Sequence, residues 1–429
     1  MEDLIISLER EGVLRPVGRI VGNNSSDSRF AYSDNYLQSE DAAPISLSLP
    51  LQTEPFSSAQ TRNFFEGLLP EGFTRRNLAQ WMHVAEGDYL SLLHGLGREC
   101  LGALCVSVPG ETVSASYSRI TEDEVRQLAA EGAAKSAELV LKSHLSLTGA
   151  SGKVGLYYDS ENSAWYLPQG TAPSTHIVKQ SHVRLDGIVT NEQLSLLTAA
   201  RCGIEIADSF IIDTGHGEDA EVLFATRRYD RRFAADSKLI NGLPCPLRLH
   251  QEDFAQAMGI PADEKYEKEP RGYLRGMFDL LRRYSADPIT DQLKLWDIVV
   301  FNFLIGNTDS HIKNFSLLYS PNQRAVRLAP AYDIVSTAVY PESTRDMAFF
   351  IGDALSLDDL TRDSFRLAAR EISLGERMAM RRFDAMCEKF VPALRASAAA
   401  LAAEGFPKAL ELERRILETG GMKKSSGAV

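Results

Sequence analysis

The stretch that most constrains this chain runs from Leu295 to Asn314. Residues 295–305 are apolar apart from Asp297 and Asn302, too few to span a bilayer, and read as a buried helix. They lead directly into Gly306-Asn307-Thr308-Asp309-Ser310-His311-Ile312-Lys313-Asn314. Two short strands are expected next, Phe315 to Tyr319 and Val326 to Leu328, ahead of Tyr332-Asp333-Ile334. An Asp, an Asn five positions on and a second Asp about two dozen residues later match the chemistry of phosphoryl transfer from ATP. Asp309 would accept the proton of the attacking hydroxyl, Asn314 and Asp333 would hold Mg2+ on the phosphates, and Lys313 could lie on the γ-phosphate. The plainer alternative is a capped turn, since Asn-Thr-Asp-Ser is a common N-cap composition, with Asp333 a turn aspartate after Pro330.

At 429 residues the chain needs two or three domains, or one two-lobed unit with an extra. A formal charge of −12 argues against a broad nucleic-acid-binding face, which would need Lys and Arg against phosphates. The five cysteines are scattered with no C-x-x-C, so neither a zinc knuckle nor a disulfide framework is expected, and a reducing cytoplasm is the expected setting. Met1-Glu2-Asp3-Leu4 lacks the basic start and apolar core of a signal peptide.

Three parts are expected along the chain. Residues 1–107 read as a small module of strands (residues 12–14, 17–21 and 30–32) and short helices (64–72, 75–83 and 89–96). Pro109-Gly110 and the Ser/Thr-rich run to Ser118 read as a linker. Within residues 108–237, an acidic helix over 120–131 precedes two strands from Ser143 to Tyr158 around the glycine turn Gly149-Ala150-Ser151-Gly152-Lys153. Further strands are expected at 164–167, 176–179, 208–213 and 222–226, with a helix over 190–202. Residues 238–429 are dominated by helical period, apart from the two strands ahead of Asp333 and a polar tail. The expected class is α+β.

Other residues bear on the same chemistry. Lys179 lies in the apolar strand Ile177-Val178-Lys179, where an inward lysine requires an anionic partner such as a phosphate or Glu192; an exposed strand lysine is the alternative. The turn Thr148-Gly149-Ala150-Ser151-Gly152-Lys153 could drape N–H groups over phosphates. It is not a Walker A loop, because Leu147 and Val154 stand where Gly and Ser/Thr are needed, and taken alone the turn reads better as a plain hairpin. Asp309-Ser310-His311 has the D-x-H spacing of binuclear metallophosphoesterases, but no G-N-H-[ED] accompanies Gly352-Asp353, and eight histidines in all are too few. No G-x-S-x-G and no G-x-G-x-x-G after a strand is present.

Taken together the chain resembles the HipA family, the kinase toxins of bacterial type II toxin–antitoxin modules. In the first part the resemblance rests on Phe30-Ala31-Tyr32, on residues 47–51, on residues 64–72 and on Leu96-Gly97-Arg98 through Leu101-Gly102-Ala103. It continues through Ser146-Leu147-Thr148-Gly149, residues 177–179, Asn191-Glu192, Tyr229-Asp230-Arg231, Gln251-Glu252-Asp253 and Lys265-Tyr266-Glu267, then 306–314 and 332–334. The resemblance implies a two-lobed, phosphoinositide-kinase-like serine/threonine kinase fold with a small N-terminal subdomain. It implies Asp309 as catalytic base and Asn314 and Asp333 as Mg2+ ligands. It further implies Lys179 as the phosphate lysine paired with Glu192, and residues 148–153 as the glycine loop. An adenine hinge at Arg227, Arg228 and Tyr229 follows, with Asp230 near the ribose and His311, Lys313 and Tyr332 completing the nucleotide surroundings. Ser146 matches the serine that members autophosphorylate, with Thr148 and Ser151 as rivals; phosphate there would expel the loop from the ATP site. Departures are Ser151-Gly152-Lys153 where Gln-x-Lys is usual, and Arg227 and Cys100 where acidic residues are common.

The implied activity is ATP-dependent protein phosphorylation that arrests growth, with a translation component such as an aminoacyl-tRNA synthetase as the family's precedent for a target. The implied partner is a small helix-turn-helix antitoxin (HipB-like) that makes most of the contacts to operator DNA. Two other readings stand beside it: a nucleotide-binding co-repressor with weak or no kinase activity, and a small-molecule or lipid kinase of the same fold.

Overall fold

The computed structural model describes residues 3–22, 24–111, 114–131, 133–143, 152–181 and 185–422. The strand Leu4–Arg10, which the sequence reading passed over, lies inside the first sheet. It pairs antiparallel with Val13–Val21 on one side and with Leu104–Ser107 on the other, and Arg29–Tyr32 completes the order at the far edge of Val13–Val21. One face of this sheet is buried by the helices Ser58–Glu66 and Tyr89–Leu96 around an aromatic cluster. Phe30 meets Tyr32 edge-on at 4.9 Å and lies 5.3 Å from Phe65. Such ring pairs add to the burial of several fully enclosed side chains.

A second sheet runs in the order Ala115–Arg119, Ala164–Gly170, Lys153–Asp159, His176–Gln180, and continues into Val222–Arg227. Ala115–Arg119 corrects the reading of this stretch as linker: it is an edge strand, antiparallel to Ala164–Gly170 with Tyr117 opposite Pro168. The helices Glu122–Glu131 and Ala133–Ser143 precede the second strand, so Ser143 ends a helix where a strand was expected. The glycine turn falls largely outside the described residues, among them Ser146, Thr148, Gly149, Ala150 and Ser151.

The chain divides into two units. The first comprises residues 1–180, 225–262 and 317–326, and the second residues 181–224, 263–316 and 327–429. In the second unit the long helix Glu376–Ala403 packs against Ile188–Cys202 and Pro288–Ile305. Trp296 donates its indole N–H to Ala379 O at 3.0 Å, and Phe365 is ringed by Trp296, Phe303 and Phe383 at 5.9, 5.0 and 4.8 Å. The hairpin Asp346–Ile351 with Ala354–Ser356 interrupts a region expected to be helical.

The helix Pro288–Ile305 has the sequence signals of both ends. Asp287 caps Thr290 N at 3.3 Å, Pro288 opens the first turn, and Gly306 terminates it with φ +74°. A Cβ on Gly306 would come within 2.9 Å of Ala338 Cβ, so glycine is required there twice over. Among the described residues no helix is long and apolar enough to cross a membrane.

Candidate active site

Gly306 delivers the chain into a loop whose main chain is fixed from several directions. Asn307 donates its side-chain amide to Asn302 Oδ1 at 2.9 Å and accepts Asp309 N at 3.2 Å. Thr308 N donates to Thr337 Oγ1 at 2.7 Å. His311 N closes on Asp309 O at 2.8 Å, and Asn314 N on His311 O at 2.8 Å. The capped-turn alternative is therefore half right, because the polar residues do satisfy the loop's backbone. They leave Asp309 at the surface, where its carboxylate Oδ1 accepts a hydrogen bond from the phenol of Tyr266. Asn314 donates its amide N–H to Asp309 O at 3.0 Å, which leaves its oxygen for another partner.

Asp333 comes to the same place from the other side. Past the strand Val326–Leu328, Ala329 N donates to Ser316 O at 2.9 Å and Ala331 N to Glu205 O at 2.8 Å. Tyr332 pins the turn to the loop through hydrogen bonds of its hydroxyl to Lys313 O at 3.0 Å and to Ser316 Oγ at 2.6 Å. Asp333 then adopts a left-handed backbone, φ +56°, a conformation that non-glycine residues hold only where surroundings impose it. Asn314, Asp333, Asn302, Asn307 and Ser310 line one small pocket of about 10 Å3, water-sized and not nucleotide-sized. Asn314 and Asp333 fit a magnesium ion that keeps waters and phosphate oxygens as its remaining ligands. A metal cage made by the protein alone does not fit: the described residues contain no group of three His, Cys, Asp or Glu that could hold one. That also bears on the D-x-H alternative.

His311 is buried, its Nδ1 has no hydrogen-bond partner, and its ring meets Tyr266 edge-on at 5.2 Å. Burial holds its pKa well below the usual histidine value; Lys265 and Lys313 push the same way and Asp333 opposes. It is neutral at physiological pH. Lys313 is buried within the short turn 312–314. Glu192 is buried in the first turns of Ile188–Cys202.

In the first unit, Lys179 is mostly buried in the strand His176–Gln180, as an inward lysine should be. Lys153, read as the end of the glycine turn, is instead the first residue of its own strand and sits opposite Lys179 in the antiparallel register. Two ammonium groups across a strand pair favour an anion on that face. Gly152 lies just before it.

The expected hinge divides. Arg227 is exposed and Tyr229 half-buried, its phenol on Gln251 Oε1. Arg228 and Asp230 are fully buried and committed elsewhere. Arg228 grips Asp230 through two hydrogen bonds of 2.9 and 2.8 Å and meets Glu99 at 3.0 Å; Arg231 bridges the same two acids. Asp230 Oδ2 also accepts Gly102 N at 2.8 Å and Gln251 Nε2 at 3.0 Å. Its oxygens are taken, so the ribose role expected of Asp230 and the nucleotide contact expected of Arg228 are replaced by a buried ion cluster.

Three contributors were not singled out as site residues. Asn191 clamps the segment after Asp333, donating to Ser336 O at 3.0 Å and accepting Ser336 N at 2.9 Å. Tyr266 reaches Asp309 from 43 residues upstream, and its neighbour Glu267 holds the segment that carries it. The signal available was their place in quoted motifs, since nothing local distinguishes them from surface polar residues.

Two family models match the chain: the HipA N-terminal domain over residues 13–107 and the HipA-like C-terminal domain over residues 145–394. Y4mE of Sinorhizobium fredii, which carries a provisional kinase name, is 34% identical over 88% of this chain and 89% of its own length. The serine/threonine-protein kinase toxin HipA of Shewanella oneidensis is 27% identical, covering 80% of this chain and 77% of that protein. Among solved structures, the S. oneidensis HipA, HipB and operator DNA complex contains a chain that superposes with a TM-score of 0.78 at 21% identity, covering 99% of this chain and 100% of that one.

Proposed function

Since the chain belongs to the HipA family and has its kinase-like α+β fold, we propose that it is an ATP-dependent serine/threonine protein kinase acting as a growth-inhibiting toxin. The observation that carries this is that Asn314 and Asp333 line one pocket of the second unit, with Asn314 tied to the main chain of Asp309 in the same loop. The division into an N-terminal subdomain (1–107), a small lobe (108–237) and a helical lobe (238–429) belongs to the same proposal.

Each side chain has a role within it. Asp309, at the surface, takes the proton of the acceptor hydroxyl as the new P–O bond forms and the bond from the γ-phosphorus to the β,γ-bridging oxygen breaks, releasing ADP. Asn314 and Asp333 would hold Mg2+, which when bound neutralises charge on the phosphates. Lys179 and Lys153 supply positive charge to the phosphates, and Lys313 supplies it at the transferring group. Neutral His311 adds no charge and offers Nδ1 as a hydrogen-bonding atom. Arg227 and Tyr229 remain for the base and sugar. Self-phosphorylation at Ser146, Thr148 or Ser151 is part of the proposal. So is a small helix-turn-helix antitoxin that carries the operator DNA contacts, in keeping with the acidic charge of this chain.

Controlled expression in a bacterium tests the toxin role. Growth arrest by the wild type, absent with Asp309→Gln at equal protein level, is expected. Equal arrest by both, or by neither, would contradict it; a variant that still represses the operator would separate kinase from co-repressor.

A further inference from the structure

The loop contacts described above fix the main chain of Asp309, whereas a contact to its carboxylate comes from another element. Tyr266 Oη donates to Asp309 Oδ1 from 43 residues upstream. An aspartate's terminal torsion is broad and two-fold, so a donor on one oxygen selects which oxygen faces the reaction.

Tyr266 is itself held. Its neighbour Glu267 accepts N–H groups of Arg271, Gly272 and Tyr273 at 2.7, 2.6 and 3.1 Å, at the start of the helix Tyr273–Tyr284, and of Phe350 at 2.9 Å. Glu267 N in turn donates to Ala348 O at 2.8 Å. The ring stands edge-on to His311 at 5.2 Å, and the Lys265 ammonium lies 5.4 Å from its centroid. A phenol supported this way, on the surface yet aimed at a carboxylate, is placed to orient it.

We infer that Tyr266 is a positioning residue for the base: its hydroxyl holds Oδ1 of Asp309 and so sets the direction in which the carboxylate meets the acceptor hydroxyl. The inference rests on the kinase reading above. The opposite arrangement would have the phenol occupying the acceptor's place and blocking it.

The test is Tyr266→Phe in the full chain, which keeps the ring against His311. Single-turnover self-phosphorylation with γ-labelled ATP and Mg2+ is followed against ATP concentration. The maximal rate is expected to fall about 10- to 100-fold, the effect of losing one hydrogen bond to a charged group. Half-saturating ATP stays within about twofold. An unchanged or faster rate would overturn the inference, the faster rate identifying a blocking phenol. A loss that appears equally in half-saturating ATP, or with a lowered melting temperature, would make the role structural. Equal labelling of wild type and Asp309→Gln would instead remove the kinase reading, and the positioning role with it.

Discussion

Asp333 holds a left-handed backbone at φ +56° where asparagine is tolerated as well as aspartate. Asp333→Asn therefore separates charge from shape. Its melting temperature should match the wild type, while Mg2+-dependent ATP binding by calorimetry weakens about tenfold or more; equal loss of both would make Asp333 a turn residue only. A second residue-scale prediction concerns Glu252. It is buried in the first unit, accepting Ser46 Oγ at 2.5 Å, Leu47 N at 3.0 Å and the Tyr319 hydroxyl, and burial raises its pKa to about 7. The folded state therefore keeps a proton that the unfolded chain releases near 4.5, so this group's stabilisation is full at acid pH and is lost as pH rises from about 4.5 to 7. Glu252→Gln mimics the protonated form, and above pH 7 it should be more stable than wild type by about 3 kcal/mol or less. Denaturation curves of the two proteins at pH 5 and 8 check this, and a constant difference would contradict it. The comparison between variants is needed because His250, held near 4 by burial with Nε2 on Ile45 O at 2.8 Å, has the opposite sign: its contribution is lost as pH falls below 6.5.

The elements that carry the site depend on buried clamps between them. Asn191, in Ile188–Cys202, holds both backbone groups of Ser336, three residues past Asp333. Asn191→Ala should cost about 2–3 kcal/mol in chemical denaturation, because two buried backbone groups lose their partners. A change under about 0.5 kcal/mol would show that the segment is held otherwise. This also marks what the sequence disclosed. Pro288–Ile305 was legible because its cap, proline, apolar face and terminal glycine are all local, and the loop after it carries its chemistry in fixed spacing. Ala115–Arg119 was not, since a polar edge strand owes its conformation to Ala164–Gly170, some fifty residues away. Ala133–Ser143 was missed beside a strand expectation that begins on its last residue. Arg228, Asp230 and Arg231 look like part of a charged surface, and partners such as Glu99, 129 residues from Arg228, turn them inward. Long-range pairing of this kind leaves no periodic trace.

Across the whole molecule, the buried cluster of Glu99, Arg228, Asp230 and Arg231 ties the N-terminal sheet's outgoing segment to the strand region after Val222–Arg227. Both carboxylates in it are engaged by arginines, and Gly102, whose φ of +71° lets its N–H reach Asp230, is held where a Cβ would come within 2.8 Å of Gln251 N. Removing one partner leaves an uncompensated buried charge, so Glu99→Gln or Asp230→Asn should each cost about 3–5 kcal/mol, read as a lower denaturant midpoint of the first unit's transition. A loss below about 1 kcal/mol would mean that water enters the cluster. The central claim is that this fold transfers phosphate through Asp309. It is tested most directly by incubating purified wild type and Asp309→Gln with γ-labelled ATP and Mg2+ and mapping labelled residues by mass spectrometry. The account predicts label in the wild type alone, on Ser146, Thr148 or Ser151. No label in either protein, with ATP binding intact, would contradict it and leave a nucleotide-binding co-repressor as the function.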